Sequence, residues 1–155
     1  MSAAAPVPAL ERAFDVDASL GPLEDHGTTR AGHRRVVPIA GGQVRGLFDA
    51  EILPGGADWQ LVRPDGAVEI DTRYSARTRA GEYVHFRTSG VRSGPPEVIA
   101  ALLRGELVDP SEYYFRVGVH LETAAPRLAA LERSIFVASA VREASRVYYT
   151  AYRVT

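Results

Sequence analysis

The chain lacks three residue types that carry much of protein chemistry. Its 155 residues include no cysteine, no lysine and no asparagine. Without cysteine there is no disulfide, no thiolate nucleophile and no thiolate metal site. Without lysine there is no Schiff-base amine and no lysine for a phosphate-binding loop. Any chemistry must therefore be carried by Asp, Glu, His, Tyr, Ser, Thr, Arg and Trp side chains.

The sequence also lacks a charge excess and a long apolar run. Its net charge is −1, so no electrostatic field favours nucleic acid or an anionic membrane. There is no run of 18 apolar residues, and the segment Met1–Pro6 lacks the basic region and apolar core of a secretory signal. We therefore expect a cytoplasmic protein with no nucleic-acid partner and no membrane partner.

The length and composition are those of one globular domain. Hydrophobic residues make up 46% of the chain and charged residues 24%, and a chain of 155 residues buries most of its apolar surface without disulfides. Residues 1–8 are predicted to be a disordered tail, and residues 9–155 a single domain. We find no internal repeat.

Short segments with alternating apolar and polar residues dominate the sequence, and this period of two is typical of half-buried strands. Turn residues separate them, with Pro54-Gly55-Gly56 predicted to reverse the chain and Pro64-Asp65-Gly66 predicted to close a hairpin. We expect a loop over 19–32 and a turn at 40–42. The predicted strands cover 9–18, 33–39, 43–52, 57–63, 67–78, 82–92, 112–122, 134–142 and 146–154.

One segment has helical rather than alternating spacing. Residues 95–106 place Val98, Ile99, Leu102 and Leu103 on one face, with proline in the first turn and Gly105 at the end. A further helical turn is predicted at 126–132. Eight or nine short strands with one short helix predict a mainly β protein, either an antiparallel barrel or a curled sandwich. A closed barrel of about eight strands can hold one small ligand.

Several motifs, in order, resemble a known family over residues 30–154. They are Gly32-His33-Arg34-Arg35, Pro38-Ile39-Ala40-Gly41-Gly42, Leu53-Pro54-Gly55-Gly56-Ala57-Asp58-Trp59-Gln60, Asp65-Gly66, Asp71-Thr72-Arg73-Tyr74, Gly105-Glu106, Asp109-Pro110, Tyr113-Tyr114-Phe115-Arg116 and Leu121-Glu122-Thr123. The chain is similar in these motifs to the bacterial and fungal uncharacterised protein family 0311, also called domain of unknown function 3237. The resemblance implies a lipocalin-like closed β-barrel with an inner cavity and no single settled activity.

The chain departs from the family pattern at two places. Thr88 stands where the family usually has asparagine, and Val117 and Val119 stand where it usually has threonine and proline. Both departures are expected to reshape the cavity wall, so a relative's substrate does not transfer to this chain.

Asp58 and Trp59 follow the predicted turn at 54–56 and are the first candidates for chemistry. Neighbouring strand residues point to opposite faces, so one of the two side chains is expected to line the cavity. Asp58 would then act as a general base or acid, or Trp59 as a stacking wall. The structural alternatives are an Asp58 contact with the turn backbone and an indole packed in the core.

The predicted strand at 67–78 carries a row of ionisable side chains, Glu69, Asp71 and Arg73, on one face. Outside the barrel, these would form a solvated stripe that contributes little, which is the usual arrangement in a small barrel. Inside it, burial would separate their pKa values and make an acid–base pair. The resemblance favours a role for Asp71, Arg73 and Tyr74.

A second polar row, Tyr114, Arg116, His120 and Glu122, lies on the predicted strand at 112–122. An arginine flanked by tyrosine and glutamate can clamp a carboxylate or an enolate oxygen. An interstrand salt bridge is the structural alternative. The opposite face of the strand is expected to be core.

Metal and nucleophile sites are not indicated. The four histidines have no paired spacing that would suit a metal ion, neither glycine pair opens a phosphate-binding helix, and no serine lies in a Gly-x-Ser-x-Gly context. We therefore expect no metal and no cofactor.

These patterns predict a cofactor-independent enzyme that transfers a proton on a small polyketide-like, aromatic or carbonyl substrate, as an isomerase, cyclase, dehydratase or lyase. Asp58 or Asp71 would move the proton, and Arg73 or Arg116 would stabilise the oxyanion. The predicted substrate-binding residues are Trp59, Tyr74, Tyr114, Glu122 and Arg35. The alternatives are a barrel that binds a small hydrophobic or aromatic molecule without turnover, and a structural domain that forms a homodimer through a strand edge near 33–39.

Overall fold

The computed structural model describes residues 2–155, and its ten strands form one antiparallel sheet. The strands are β1 (Leu10–Leu20), β2 (Glu24–Thr29), β3 (Gly32–Gly46), β4 (Ala50–Ile52), β5 (Gly56–Val62), β6 (Val68–Arg77), β7 (Tyr83–Ser93), β8 (Tyr114–Thr123), β9 (Ile135–Arg142) and β10 (Arg146–Val154). The helical elements of this range are α1 (Pro96–Leu103) and two 3-10 helices, Pro110–Glu112 and Pro126–Arg133. Of the predicted tail, residues 2–8 have no regular secondary structure, and Met1 lies outside the described residues.

The sheet closes into a barrel because β1 pairs with β10 on one side and with β3 on the other. From β10 the pairing runs through β9, β8, β7 and β6 to β4 and β5, which return to β3. β4 and β5 pair with consecutive parts of the same edge of β3, since Ile52 is opposite Gly42 and Gly56 is opposite Ile39. Together they occupy one position in an eight-stranded wall, so the predicted antiparallel closed barrel is confirmed.

The predicted chain reversal at 54–56 is wrong, because the chain keeps its direction from β4 into β5. Ile52 pairs with Ala76 and Ala57 pairs with Arg73, so residues 53–56 face only residues 74–75 of β6 and form a bulge. Proline and glycine mark bulges as well as turns, which explains the error. The bulge shifts the strand without changing which side of the sheet Asp58 faces.

Two further predictions about local structure are wrong. The predicted loop at 19–32 contains β2, and β3 runs unbroken through the predicted turn at 40–42. Gly42 has a φ of 132°, and a Cβ there would lie 2.0 Å from the Asp17 carbonyl oxygen. This glycine therefore lets β3 bend closely against β1 instead of ending the strand.

The segment at 33–39 has no free edge. β5 pairs along its whole length, and β2 pairs with residues 32–36 on the other side. The predicted homodimer therefore loses the edge on which it was based, because those backbone groups already have partners.

Aromatic side chains fill the interior of the barrel near one of its two ends. Four phenylalanines, Phe14, Phe48, Phe86 and Phe136, pack around one another near one end, with ring centroids of neighbouring pairs 5.5–6.2 Å apart. The 3-10 helix Pro126–Arg133 adds two buried leucines to the core. This aromatic layer packs the interior of the barrel in that region.

The helix α1 covers the opposite end of the barrel. Prolines precede and begin it, and Gly105, with a φ of 78°, follows its last turn, as the sequence predicts. Val98, Ile99 and Leu102 are buried in the core. The guanidinium of Arg35 on β3 holds the C-terminal end of α1, donating from Nη2 to the Leu103 carbonyl oxygen at 3.0 Å. No helix within residues 2–155 is long and apolar enough to cross a membrane.

Candidate functional site

A cavity of about 40 Å³ lies inside the barrel, between the aromatic layer and the end covered by α1. Its apolar wall consists of valine, isoleucine, leucine, alanine and phenylalanine side chains. Eight polar residues also line it: Asp58, Gln60, Thr72, Tyr74, Thr88, Arg92, Arg142 and Tyr149. A few polar groups converging in an apolar pocket are typical of a small-molecule site.

Asp58 on β5 is the one acidic side chain that lines this cavity. It is 8% exposed and Trp59 is 40% exposed, so of these two neighbours Asp58 is the one that faces inward. Gln60 Nε2 donates to its Oδ2 at 2.9 Å, and the backbone N–H of Asp71 donates to its Oδ1 at 3.1 Å. Burial raises the pKa of Asp58, and the hydrogen bonds and the charge of Arg92 oppose this only in part. The carboxyl is therefore tuned toward binding a proton more tightly than an exposed aspartate.

Arg92 on β7 lies in the same cavity and is 1% exposed. Its guanidinium packs over the Phe115 ring, 5.3 Å from the centroid. Its Nε and Nη1 are buried and have no hydrogen-bond partner. Burial, followed by repulsion from Arg142, lowers the pKa of Arg92 to about 10, so the group stays protonated at neutral pH. The cavity thus contains a charged side chain with free donors.

Two further arginines lie at the α1 end. Arg142 on β9 lines the cavity, and its backbone N–H donates to the Tyr113 hydroxyl at 3.2 Å. Arg35 is buried beside them, and its Nε also has no hydrogen-bond partner. Burial lowers the pKa of both, and the charge of Arg35 lowers the pKa of Arg142 and Arg92 further. This end of the cavity is therefore electropositive.

Tyr74 and Tyr149 form the floor of the cavity. Their hydroxyl oxygens are 2.6 Å apart and hydrogen-bonded, and the Tyr74 ring stacks on Phe86 with centroids 4.8 Å apart. Burial raises the pKa of both phenols, so both stay protonated at neutral pH; one donates to the other, and the accepting phenol keeps its own proton for a ligand.

Three of the four predicted catalytic residues lie elsewhere. Asp71 faces the outside of β6, with Arg73 and Arg87 each 3.9 Å from its Oδ1. Arg73 is also outside, and Arg116 packs over Tyr114 on the outer face of β8. The expectation that Asp58 shares the cavity with Arg73 or Arg116 is therefore wrong, because alternate strand residues face opposite sides of the wall.

The predicted substrate-binding residues are divided in the same way. Tyr74 lines the cavity and Arg35 is buried beside it. Trp59 is 40% exposed and Tyr114 is 54% exposed. Glu122 is exposed on the outer face of β8. The last three point away from the cavity because they have the outward parity of their strands.

Arg92, Arg142, Gln60 and Tyr149 were missed by sequence reasoning. The sequence did contain a signal for Arg92, because on β7 it continues the inward row of Val84, Phe86 and Thr88. A charged residue on a buried, apolar face is rare and indicates a functional side chain. Thr88 and Val117, two of the departures from the family pattern, do line the cavity.

The arrangement supplies a tuned carboxyl, a buried cation and two phenolic hydroxyls around one small space. Within residues 2–155 no group of three His, Cys, Asp or Glu side chains could hold a metal ion. The side chains present are suited to moving a proton and stabilising negative charge.

Comparison with known sequences identifies relatives along almost the whole chain. The family model for a protein of unknown function, DUF3237, matches residues 8–154. A UPF0311 protein of Bradyrhizobium diazoefficiens is 39% identical over 141 residues, which cover 91% of this chain and 93% of that protein. A UPF0311 protein of Rhodopseudomonas palustris is 38% identical over 142 residues, with the same coverage.

Solved structures share the barrel. A conserved protein of unknown function from Rhodopseudomonas palustris matches with a TM-score of 0.91 and 36% identity, over 98% of this chain and 100% of that one. A β-barrel-like protein from Acinetobacter baumannii matches with a TM-score of 0.86 and 36% identity, over 99% and 100%. An enzyme from Penicillium herquei, at 17% identity and a TM-score of 0.70 over 97% and 99%, shares the fold alone. The chain therefore belongs to the DUF3237 family of proteins of unknown function.

Proposed function

We propose that the protein is a cofactor-independent enzyme that transfers a proton on a small organic carbonyl compound inside the barrel. The observation that carries this proposal is the pairing, in one cavity, of a buried carboxyl whose pKa is raised with a buried arginine that has free donors. Such pairings are enriched at catalytic sites, because a base needs a proton affinity near the working pH.

Asp58 is the proton carrier in this mechanism. An ionised carboxylate has about four lone-pair sites. The Gln60 side chain and the Asp71 backbone N–H occupy two of them, and the Thr72 hydroxyl also stabilises the charged form. A lone pair is left for a substrate proton. The protein donors fix the direction of the carboxylate, which lowers the cost of reaching a productive geometry.

Arg92 stabilises the charge that the transfer creates. When Asp58 removes a proton next to a carbonyl group, its negative charge moves to the enolate oxygen of the substrate. The free Nε and Nη1 donors of Arg92 can bind such an oxygen, and a buried donor of this kind needs little reorganisation during the reaction. Arg92 thus takes the role that the sequence analysis gave to Arg73 or Arg116.

A substrate larger than a few atoms requires the cavity to expand. The volume of about 40 Å³ is well below the roughly 150 Å³ of an engineered cavity that binds benzene. An aromatic substrate would therefore require the side chains of the cavity wall to move apart.

The test is deuterium exchange into small carbon acids, both neutral and charged: acetylacetone, acetophenone, pyruvate and acetoacetate, followed by proton NMR in D2O. Wild type is expected to accelerate the exchange of at least one compound. Asp58→Asn should lose about a hundredfold or more of that acceleration, the usual contribution of a general base. Asp71→Asn, which removes a carboxyl on the outer face, is the matched control and should keep the wild-type rate. Equal rates in Asp58→Asn and wild type, or no acceleration of any compound, would refute the proposal.

A second candidate is a carrier that binds a small molecule without turnover. The observation that favours it is that protein donors already satisfy much of the Asp58 carboxylate, as in a purely structural group. A carrier would release an unchanged compound after extraction from wild type and from Asp58→Asn alike, and would show no exchange.

A further inference from the structure

The charges that line the cavity do not balance. Within residues 2–155, Arg92 and Arg142 line the cavity with one carboxylate, that of Asp58. Arg35 lies beside them; burial lowers its pKa, and the charge of Asp25 on the surface strand β2 opposes this in part. With Asp58 ionised, two cavity cations face one anion, so one positive charge has no counterpart. An uncompensated charge in a water-poor site is costly, and proteins seldom keep one without a use.

The free donors lie at the same place as the excess charge. Arg92 is almost completely buried, and two of its three guanidinium nitrogens have no acceptor. The ring of Phe115 covers it on one side. The nearby side chains offer no further carboxylate, and the Tyr113 hydroxyl is already used by the Arg142 backbone. The Gln60 Oε1 in the same cavity is an acceptor without a partner, but it carries no charge, so an acceptor that also balances the charge of Arg92 would come from a ligand.

The missing acceptor matches a carboxylate in charge. Because Nε and Nη1 of Arg92 lie on different edges of the guanidinium, a carboxylate held by Arg142 would accept a charge-assisted bond from one of them and leave the other for the enolate oxygen. A phosphate monoester carries about 1.5–2 negative charges, more than the single charge that is lacking. We infer that the substrate is a small organic acid whose carboxylate is bound by Arg92 and Arg142. This inference rests on the proposed function for the site, and it adds the class of substrate.

The test compares acetate and benzoate with their neutral analogues, acetamide and benzamide, by calorimetric titration at neutral pH and low salt. At least one acid is expected to bind about tenfold or more tightly than its amide, since bonds to a charged acceptor are the stronger ones. Binding should also shift the side-chain Nε–Hε NMR signal of Arg92. Arg92→Met should weaken acid binding about tenfold or more, and Arg116→Met, on the outer face, should leave it unchanged.

Several outcomes would overturn the inference: neither acid binding more tightly than its amide, undiminished acid binding in Arg92→Met, or no shift of the Arg92 signal. If Arg92→Met fails to fold, Arg142→Met and the Arg92 signal of wild type decide the question.

Failure of the inference and failure of the proposed function look different. Asp58→Asn should bind acetate at least as tightly as wild type, because it removes a negative charge from the site. If the acids bind and exchange is absent, the substrate class stands and the catalytic proposal fails. If only neutral compounds exchange, in an Asp58-dependent manner, the catalytic proposal stands and the substrate class is wrong.

Discussion

Arg92→Met is expected to stabilise the protein while it removes the proposed ligand contact. A buried donor without a partner costs about 1–3 kcal/mol, so relieving Nε and Nη1 gives a gain of about 2–6 kcal/mol. The loss of the contact with Phe115 offsets at most about 2 kcal/mol of this. Repulsion from Arg142 affects the pKa of Arg92 more strongly than attraction to Asp58, so removing the charge carries no net electrostatic cost. The balance of these contributions is a net gain of up to about 6 kcal/mol, and Arg142 remains close to the Asp58 carboxylate after the substitution.

Urea unfolding followed by the fluorescence of Trp59, the single tryptophan, measures this change. The melting temperature should rise by about 2–4 °C for each kcal/mol in a chain of this size. Arg116→Met is the matched control, because it removes an outer-face guanidinium, and it should change the stability by no more than about 0.5 kcal/mol. If Arg92→Met lowered the free energy of unfolding by more than about 1 kcal/mol, Arg92 would be stabilising the fold. The inference that its free donors serve to bind a ligand would then be refuted.

Three further predictions concern the walls of the cavity. Tyr74→Phe and Tyr149→Phe should each lower the free energy of unfolding in urea by about 1–3 kcal/mol, because each leaves one buried hydroxyl unpaired. The double variant should lose less than the sum of the two single losses, and strict additivity would contradict the pairing. Because burial raises the pKa of Asp58, the folded state binds its proton more tightly than the unfolded state does. The stability of wild type should therefore fall relative to that of Asp58→Asn as the pH rises from about 3.8 through the folded pKa, by about 1.4 kcal/mol for each pH unit between the two pKa values. A stability difference that stays constant with pH would refute this. Gly90→Ala should lower the free energy of unfolding by about 1–3 kcal/mol, because its Cβ would lie 2.1 Å from a carbonyl oxygen of β8. Gly118→Ala, whose Cβ would have its nearest atom at 3.9 Å, should be nearly neutral. Equal losses in the two variants would mean that the backbone of β7 shifts readily to accept the new Cβ.

The barrel and its helix could be predicted because their signals are local. Alternation on β6 and β7 and the prolines and glycine around α1 each specify their own element. The continuity of β3 and of β4 with β5 could not be predicted, because it depends on which strand lies alongside. Gly42 reads as a turn residue in the sequence, and only the close approach of β1 shows that it allows a bend.

The site could be predicted only in part, because a residue's chemistry does not reveal the side of the wall to which it points. Asp58 was chosen for its place after a predicted turn at 54–56, which is a bulge in the structure, whereas Arg73 and Arg116 were chosen for their charge and face outward. The apolar row on β6, which includes Ile70 and Tyr74, already indicates that Arg73 is outside. The same rule applied to β7 identifies Arg92 as an inward charge, and this would have been the better choice.

The pH dependence of deuterium exchange tests most directly whether Asp58 carries the proton. In wild type the rate should rise with pH through one ionisation above 3.8 and then level off, because the carboxyl must lose its proton to act as a base. Asp71→Asn should retain this rise, and Asp58→Asn should lack it. The same rise in Asp58→Asn as in wild type would show that another group moves the proton.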